Sequence, residues 1–322
     1  PADGRAPAQV SAVHVVDRPR WAKANTQMFA ALAEGLTTPS RVSAAARGTT
    51  TAEVAAVLAL LAGKVLGQFD PYTQSRPAEL AEEPTAEPTE GGPAEASRSE
   101  APARHDAGGP GRLLLVAPNV LAAERALGVD PADFRLWVAL HEQTHALQFA
   151  AAPWLADHLR SRIDALTQDL VPGGQTAELV RRVLGALRDG KDLGLLALLS
   201  DAQREVFDEV SAVMALLEGH ADVMMDEVGP AVVPTVETIR AQFERRRDDG
   251  AAARGPARVV RSLLGLDLKL AQYREGAGFV RAVRGQVGTD GFNAVWTSPA
   301  TLPTPAEIAD PGAWVARMHR RS

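Results

Sequence analysis

The sequence predicts a mainly α-helical protein with at most a small edge sheet, and three observations carry that expectation. Several long segments place apolar residues at helical rather than alternating spacing. Capping residues stand at the starts of those segments. One short apolar run bounded by Gly and Pro, "RLLLVAPN" at 112–119, is the best strand candidate. With 322 residues and 46% hydrophobic content, the chain has enough apolar surface for a globular core.

Taken in order, residues 1–71 read as mostly helical: 21–36 has helix-like apolar spacing, and Thr51 with Glu53 opens the run "AEVAAVLALLAG". Residues 73–111 change character. They are rich in Pro, Glu, Ala and Gly and nearly free of large apolar side chains, so they bury too little surface to offset the entropy of ordering. This divides the chain into an N-terminal helical part (1–72), a disordered acidic insertion (73–111) and a catalytic part (112–322). The strand candidate opens the last part, where it would either offer an edge to an extended peptide or lie buried.

A helix follows with Asp130 as N-cap, Pro131 at its first position and Asp133 in its first turn, running to Pro153. Its core face is read from Leu136, Trp137, Leu140, Thr144 and Leu147. Further helices are expected over 176–187, 200–228, 234–247, 258–287, 305–308 and 311–318. Ser200 and Gln203 make a capping-box pattern at the start of the longest.

Composition narrows the chemistry. The chain has no cysteine, which excludes disulfides and thiolate metal sites and leaves any metal to His, Asp and Glu. Together with the absence of a signal pattern in "PADGRAPAQV", this leads to a cytoplasmic expectation. A net charge of −6 gives no basic footprint for nucleic acid, and the cluster Arg245, Arg246 and Arg247 reads as a solvated helix end. No apolar run is long enough to cross a bilayer, so no membrane insertion is expected.

"LWVALHEQTHALQF", 136–149, carries the chemistry. Positions i and i+4 lie on one helix face, so His141 and His145 can offer nitrogens to one ion. Glu142, turned aside by one position, suits a base that takes a proton from water rather than a ligand. A third ligand is needed. The short-range pattern HExxHxxGxxH fails because Gln148 and Ala151 stand where glycine and histidine are required. The helix over 200–228 supplies "LLEGHADVMMDE", in which Glu218 and His220 are roughly 200° apart around the axis and cannot both reach one ion. Spacing favours Glu218, because Asp222 four residues on could orient a ligand histidine; His220 is the alternative. The bland reading makes these polar residues flank an apolar face of Val210, Met214, Leu217 and Ala221. His158 reads as a packed or surface histidine, and Tyr273 as either an oxyanion stabiliser or a buried tyrosine. His14, His105 and His319 carry no signal.

These blocks, with "VVDRPRWAKANTQMF", "PWLADHL", "LLGLDLKLAQYREGAGFVRAV" and "GFNAVWTSPATLPTPAEIADP", resemble the zincin-like type 2 family of zinc metallopeptidases from actinobacteria and related bacteria. The resemblance runs from about residue 15 to Val315. It implies that His141, Glu142 and His145 form the zinc-binding and catalytic motif and that Glu218 is the third ligand. Some members carry a label linking them to deazaflavin-coenzyme biosynthesis, but nothing in this chain reads as a deazaflavin or nucleotide site. In the family, residues like "GQFDPY" run almost directly into residues like "GGRLLLVAPN"; here about forty residues intervene. The expectation is a gluzincin-type Zn²⁺ peptidase acting on a peptide or protein. The rival readings are a helical interaction protein on the same scaffold, or a zinc hydrolase of a small amide.

Overall fold

Three short strands form one sheet where the sequence suggests a single strand. The computed structural model describes residues 11–33, 61–73, 111–168, 200–251 and 266–319. Strands β1 (Ala12–Val16), β2 (Gly67–Asp70) and β3 (Arg112–Val116) lie in the order β1-β3-β2. β1 runs parallel to β3 with Ala12 opposite Arg112, and β2 runs antiparallel to it with Asp70 opposite Arg112. "RLLLV" is therefore the central strand and has no edge to offer; β2 is an outer strand. Residues 1–71 are not simply helical. "GQFD" is too short to show a period, and strand pairing across distant segments leaves no local trace.

Helix α1 (Arg18–Ala33) packs on this sheet through Trp21 and Ala24, beside Val16, Leu114 and Val116. Arg112 is 2% exposed, yet every direction of its fork is used. It pairs with Asp70 at 3.0 Å and donates to Gln27 Oε1 at 2.8 Å and to the Ala24 carbonyl at 2.7 Å, tying both strands to α1. The strand candidate ends early because "APN" opens helix α2 (Ala117–Leu127). Pro118 sits in its first turn, where a missing N–H costs nothing, so the proline that read as a strand boundary is a helix start.

Helix α3 (Pro131–Ala151) begins as its sequence predicts: the Asp130 side chain accepts from the amides of Ala132 and Asp133 at 2.9 and 3.0 Å. Its buried side is different from the expected one. Phe134, Val138, Glu142 and Ala146 are buried, whereas Leu136 and Leu147 are each 41% exposed. Apolar residues surround this helix, so their spacing alone could not select the inward face. α4 (Leu155–Gln168), unassigned at the sequence level, follows it.

Helix α5 (Asp201–Val232) has the Ser200–Gln203 capping box and bends at Gly229, whose φ of 63° is left-handed, just before Pro230. α6 (Val236–Ala251), α7 (Leu266–Phe292), α8 (Pro305–Ala309) and α9 (Pro311–His319) complete the described helices. α5 and α7 touch backbone to backbone: a Cβ at Gly219 would overlap the Gly276–Ala277 main chain, and one at Gly276 would overlap the Ala215 carbonyl. The largest core cluster joins α4, α5, α7 and the C-terminal helices, and includes Leu216, Phe279, Phe292 and Trp314. A second, with Phe134, Val138 and Ile239, joins α2, α3 and α6. The helix expected at 176–187 and nearly all of the acidic insertion lie outside the described residues.

Candidate metal centre

His141 and His145 lie one turn apart on α3, edge to face, with ring centroids 4.9 Å apart and planes at 88°. Glu218 reaches across from α5, and its Oε2 is 3.6 Å from the Nε2 of each histidine. One ligand atom from each of the three lies within 4.8 Å of the others. A tetrahedral ion with bonds near 2.0–2.1 Å separates its ligand atoms by about 3.3 Å, so small side-chain adjustments bring all three onto one ion. Two imidazoles and a carboxylate are a donor set that such an ion takes. Among the described residues this is the only group of three or more such side chains placed to hold a metal.

Electrostatics within the group are those of mutual charge stabilisation. Burial opposes the charged form of Glu218, but hydrogen bonds and charge from His141 and His145 outweigh it and hold the carboxyl well below its ordinary range. Burial likewise opposes protonation of His145, and Glu218 wins again, raising the imidazole to about 9. The space these groups face favours a positive charge, of the kind a divalent cation would supply.

Glu142 points elsewhere, against β2. It is 8% exposed, and its side chain occupies the space a Cβ would need at Gly67. Burial raises its pKa, moderated by His141 and His145 and reinforced by Glu218. A carboxyl that is easier to protonate than usual beside a cation site suits proton transfer.

Asp222 does not orient a ligand histidine. Its carboxylate meets Arg240 of α6 at 3.3 Å, and the same guanidinium binds the Asp222 carbonyl at 2.6 Å. The partner of His145 is Gln148, whose Oε1 lies 2.9 Å from Nδ1. His220 lies outside the ligand group: its Nδ1 is 3.0 Å from Gln148 Nε2, and its ring stacks on Phe292. Burial, then Arg284 and His145, lower its pKa to about 4. Sequence reasoning passed over Gln148, although its position three residues after His145 puts both on one helix face. Trp137 stacks on His141 at 6.0 Å. His158 packs edge-on against Trp154. The Tyr273 side chain falls outside the described residues.

A mainly helical scaffold that presents two histidines one turn apart and a carboxylate from a second helix defines a metal-binding protein of the zincin kind. The chain belongs to the zincin-like metallopeptidase family, whose model matches residues 4–315. It is also similar to a crystal structure from Chloroflexus aurantiacus described as "a putative hydrolase with a novel fold". The two are 29% identical with a TM-score of 0.60, over 99% of this chain and 84% of that one. No curated protein matches it. Among the described residues no helix is long and apolar enough to cross a membrane.

Proposed function

We propose that this protein is a zinc-dependent peptidase of the gluzincin arrangement, with His141, His145 and Glu218 as ligands and Glu142 as the general base and acid. The observation that carries it is the equal 3.6 Å approach of Glu218 Oε2 to both histidines, with a buried Glu142 one residue along the same helix. The hydrolase description of the Chloroflexus aurantiacus structure agrees with this class of reaction. Zn²⁺, when bound, polarises the substrate carbonyl and lowers the pKa of a water. Glu142 takes the proton from the attacking water as the new C–O bond forms. It returns that proton to the nitrogen as the C–N bond breaks, and its raised pKa suits both transfers. Peptide substrates fit the position of β2, an outer strand beside Glu142 onto which an extended chain can add by main-chain hydrogen bonds. A chain without cysteine suits work in the cytoplasm.

The test is metal content per chain, by inductively coupled plasma mass spectrometry, for wild type, Glu218→Ala and His220→Ala. One zinc in wild type and His220→Ala, lost in Glu218→Ala, is expected. No zinc in wild type after reconstitution would leave a helical interaction protein as the better account. Loss confined to His220→Ala would move the third ligand.

A further inference from the structure

We infer that Gln148 is the residue that positions His145 for metal, and that His220 serves as the anchor of Gln148 rather than as a ligand. This rests on the reading of His145 as a ligand. Gln148 is 2% exposed, so its amide must find all its partners inside the protein. It finds three: the Leu217 carbonyl at 2.8 Å and His220 Nδ1 at 3.0 Å from Nε2, and His145 Nδ1 at 2.9 Å from Oε1.

The directions of these bonds follow from the one partner that has no choice. A backbone carbonyl only accepts, so the amide NH₂ of Gln148 must face Leu217. That leaves Oε1 facing His145, and an amide oxygen only accepts, so His145 Nδ1 carries a hydrogen. In the neutral form, the one that can ligate a metal, the lone pair of His145 is then on Nε2, the atom that faces Glu218. The second N–H of the same NH₂ group points at His220 Nδ1, which must accept, so His220 is protonated on Nε2. One carbonyl of α5 thus sets the tautomers of two histidines through a single amide.

His220 is built to hold its end still. Its ring lies parallel to Phe292 with centroids 5.5 Å apart and edge-on to Trp296 at 5.3 Å. Phe292 and Trp296 are therefore connected to the metal group through two hydrogen bonds. A neutral amide in this role is also distinct in chemistry from a carboxylate: it orients the imidazole and fixes its tautomer without adding negative charge.

The experiment combines zinc titration against a chromophoric chelator with ¹⁵N NMR of histidine-labelled protein, for wild type, Gln148→Leu, Gln148→Glu and His220→Phe. Melting of each metal-free protein is the folding control. Gln148→Leu removes all three bonds and is expected to weaken zinc about 10- to 100-fold. His220→Phe spares the bonds to His145 and Leu217 and should hold zinc to within about threefold, the share of one indirect neutral hydrogen bond. In wild type, His220 should carry its proton on Nε2. In Gln148→Glu the carboxylate cannot donate, so His220 should move its proton to Nδ1, a change that a merely space-filling glutamine would not produce. Unchanged zinc affinity in Gln148→Leu, or greater loss in His220→Phe, overturns the inference. So does a wild-type His220 protonated on Nδ1, which is readable even if Gln148→Leu fails to fold. If wild type binds no zinc, the proposed function fails, and the His220 signal still decides the hydrogen-bond chain.

Discussion

The two sides of helix α3 are specified by opposite means. Toward α5, His141 and His145 meet Glu218, and polar partners do the positioning: Gln148 on the same helix, then Leu217 and His220 across from it. Toward the sheet, Glu142 is positioned by the absence of a side chain, because Gly67 leaves room where any Cβ would intrude. Ligands must hold direction, and directional hydrogen bonds supply it. A base must move a proton and hold a raised pKa, and a snug, weakly solvated wall supplies that. On the proposed roles, the difference teaches that one helix can carry both tasks only if its faces are buried differently.

The largest effect should come from attacking the proposed base, Glu142, alone. Glu142→Gln keeps the shape against Gly67 but cannot accept a proton, so turnover of a peptide substrate should fall about 10²- to 10⁴-fold. Zinc content and melting temperature should stay at wild-type values; activity surviving the change would sink the assignment. Gly276→Ala attacks the other side from behind. A helix-interior alanine gains about 1 kcal/mol in propensity over glycine, but its Cβ would overlap the Ala215 carbonyl, and backbone cannot give way as a flexible side chain can. Overpacking of this kind costs about 1–3 kcal/mol or more. The variant should melt lower and, because Gly219 and Glu218 are adjacent on the displaced helix, bind zinc more weakly. Normal melting and normal zinc would show that the crossing does not set the ligand.

Gly67→Ala sharpens the contrast, since it presses on Glu142 and spares the ligands. Turnover should fall with zinc retained. The contact itself is read without substrate, from the melting cost of Gly67→Ala in wild type and in Glu142→Ala. The cost should shrink in the second background, with a coupling of about 0.5–3 kcal/mol. Equal costs would place the penalty in the strand rather than on the base.

What the sequence reveals of all this is the local part. Asp130, Pro131 and Asp133 mark the start of α3, and Ser200 with Gln203 the start of α5, because a cap bonds within its own turn. The i, i+4 pair His141 and His145 is equally local, and helix geometry alone shows that Glu218 and His220 cannot both reach one ion; the preference for Glu218 leans on Asp222, which the structure pairs with Arg240 instead. Several of the failures at the site are non-local. Asp222 has the right spacing for its expected role, yet Arg240 on α6 claims it. Gly67 looks like any turn glycine until β2 is laid beside Glu142. β1 and β2 are four or five residues each and acquire meaning only by pairing with β3 some forty to a hundred residues away, roughly the range over which sequence pattern is silent.

The smallest expected effect belongs to neither side of α3 and serves as their control. Glu307 on α8 accepts from Arg317 at 2.7 and 2.9 Å and from the Thr304 amide at 2.9 Å, closing α9 onto the turn before α8. Burial opposes its charge, but Arg317 and Thr304 prevail and its pKa is lowered. A depressed carboxyl contributes stability that is fully present above its unfolded pKa and is lost as pH falls through the folded one. Glu307→Gln should therefore cost about 1–2 kcal/mol near neutral pH, with the deficit shrinking as acid protonates wild type. Zinc affinity should not change at any pH where the protein is folded. A deficit that persists undiminished in acid would mean that shape, not charge, holds this corner; a change in zinc binding would mean that the C-terminal helices govern the ligand side, and the comparison between the two faces of α3 would have to include them.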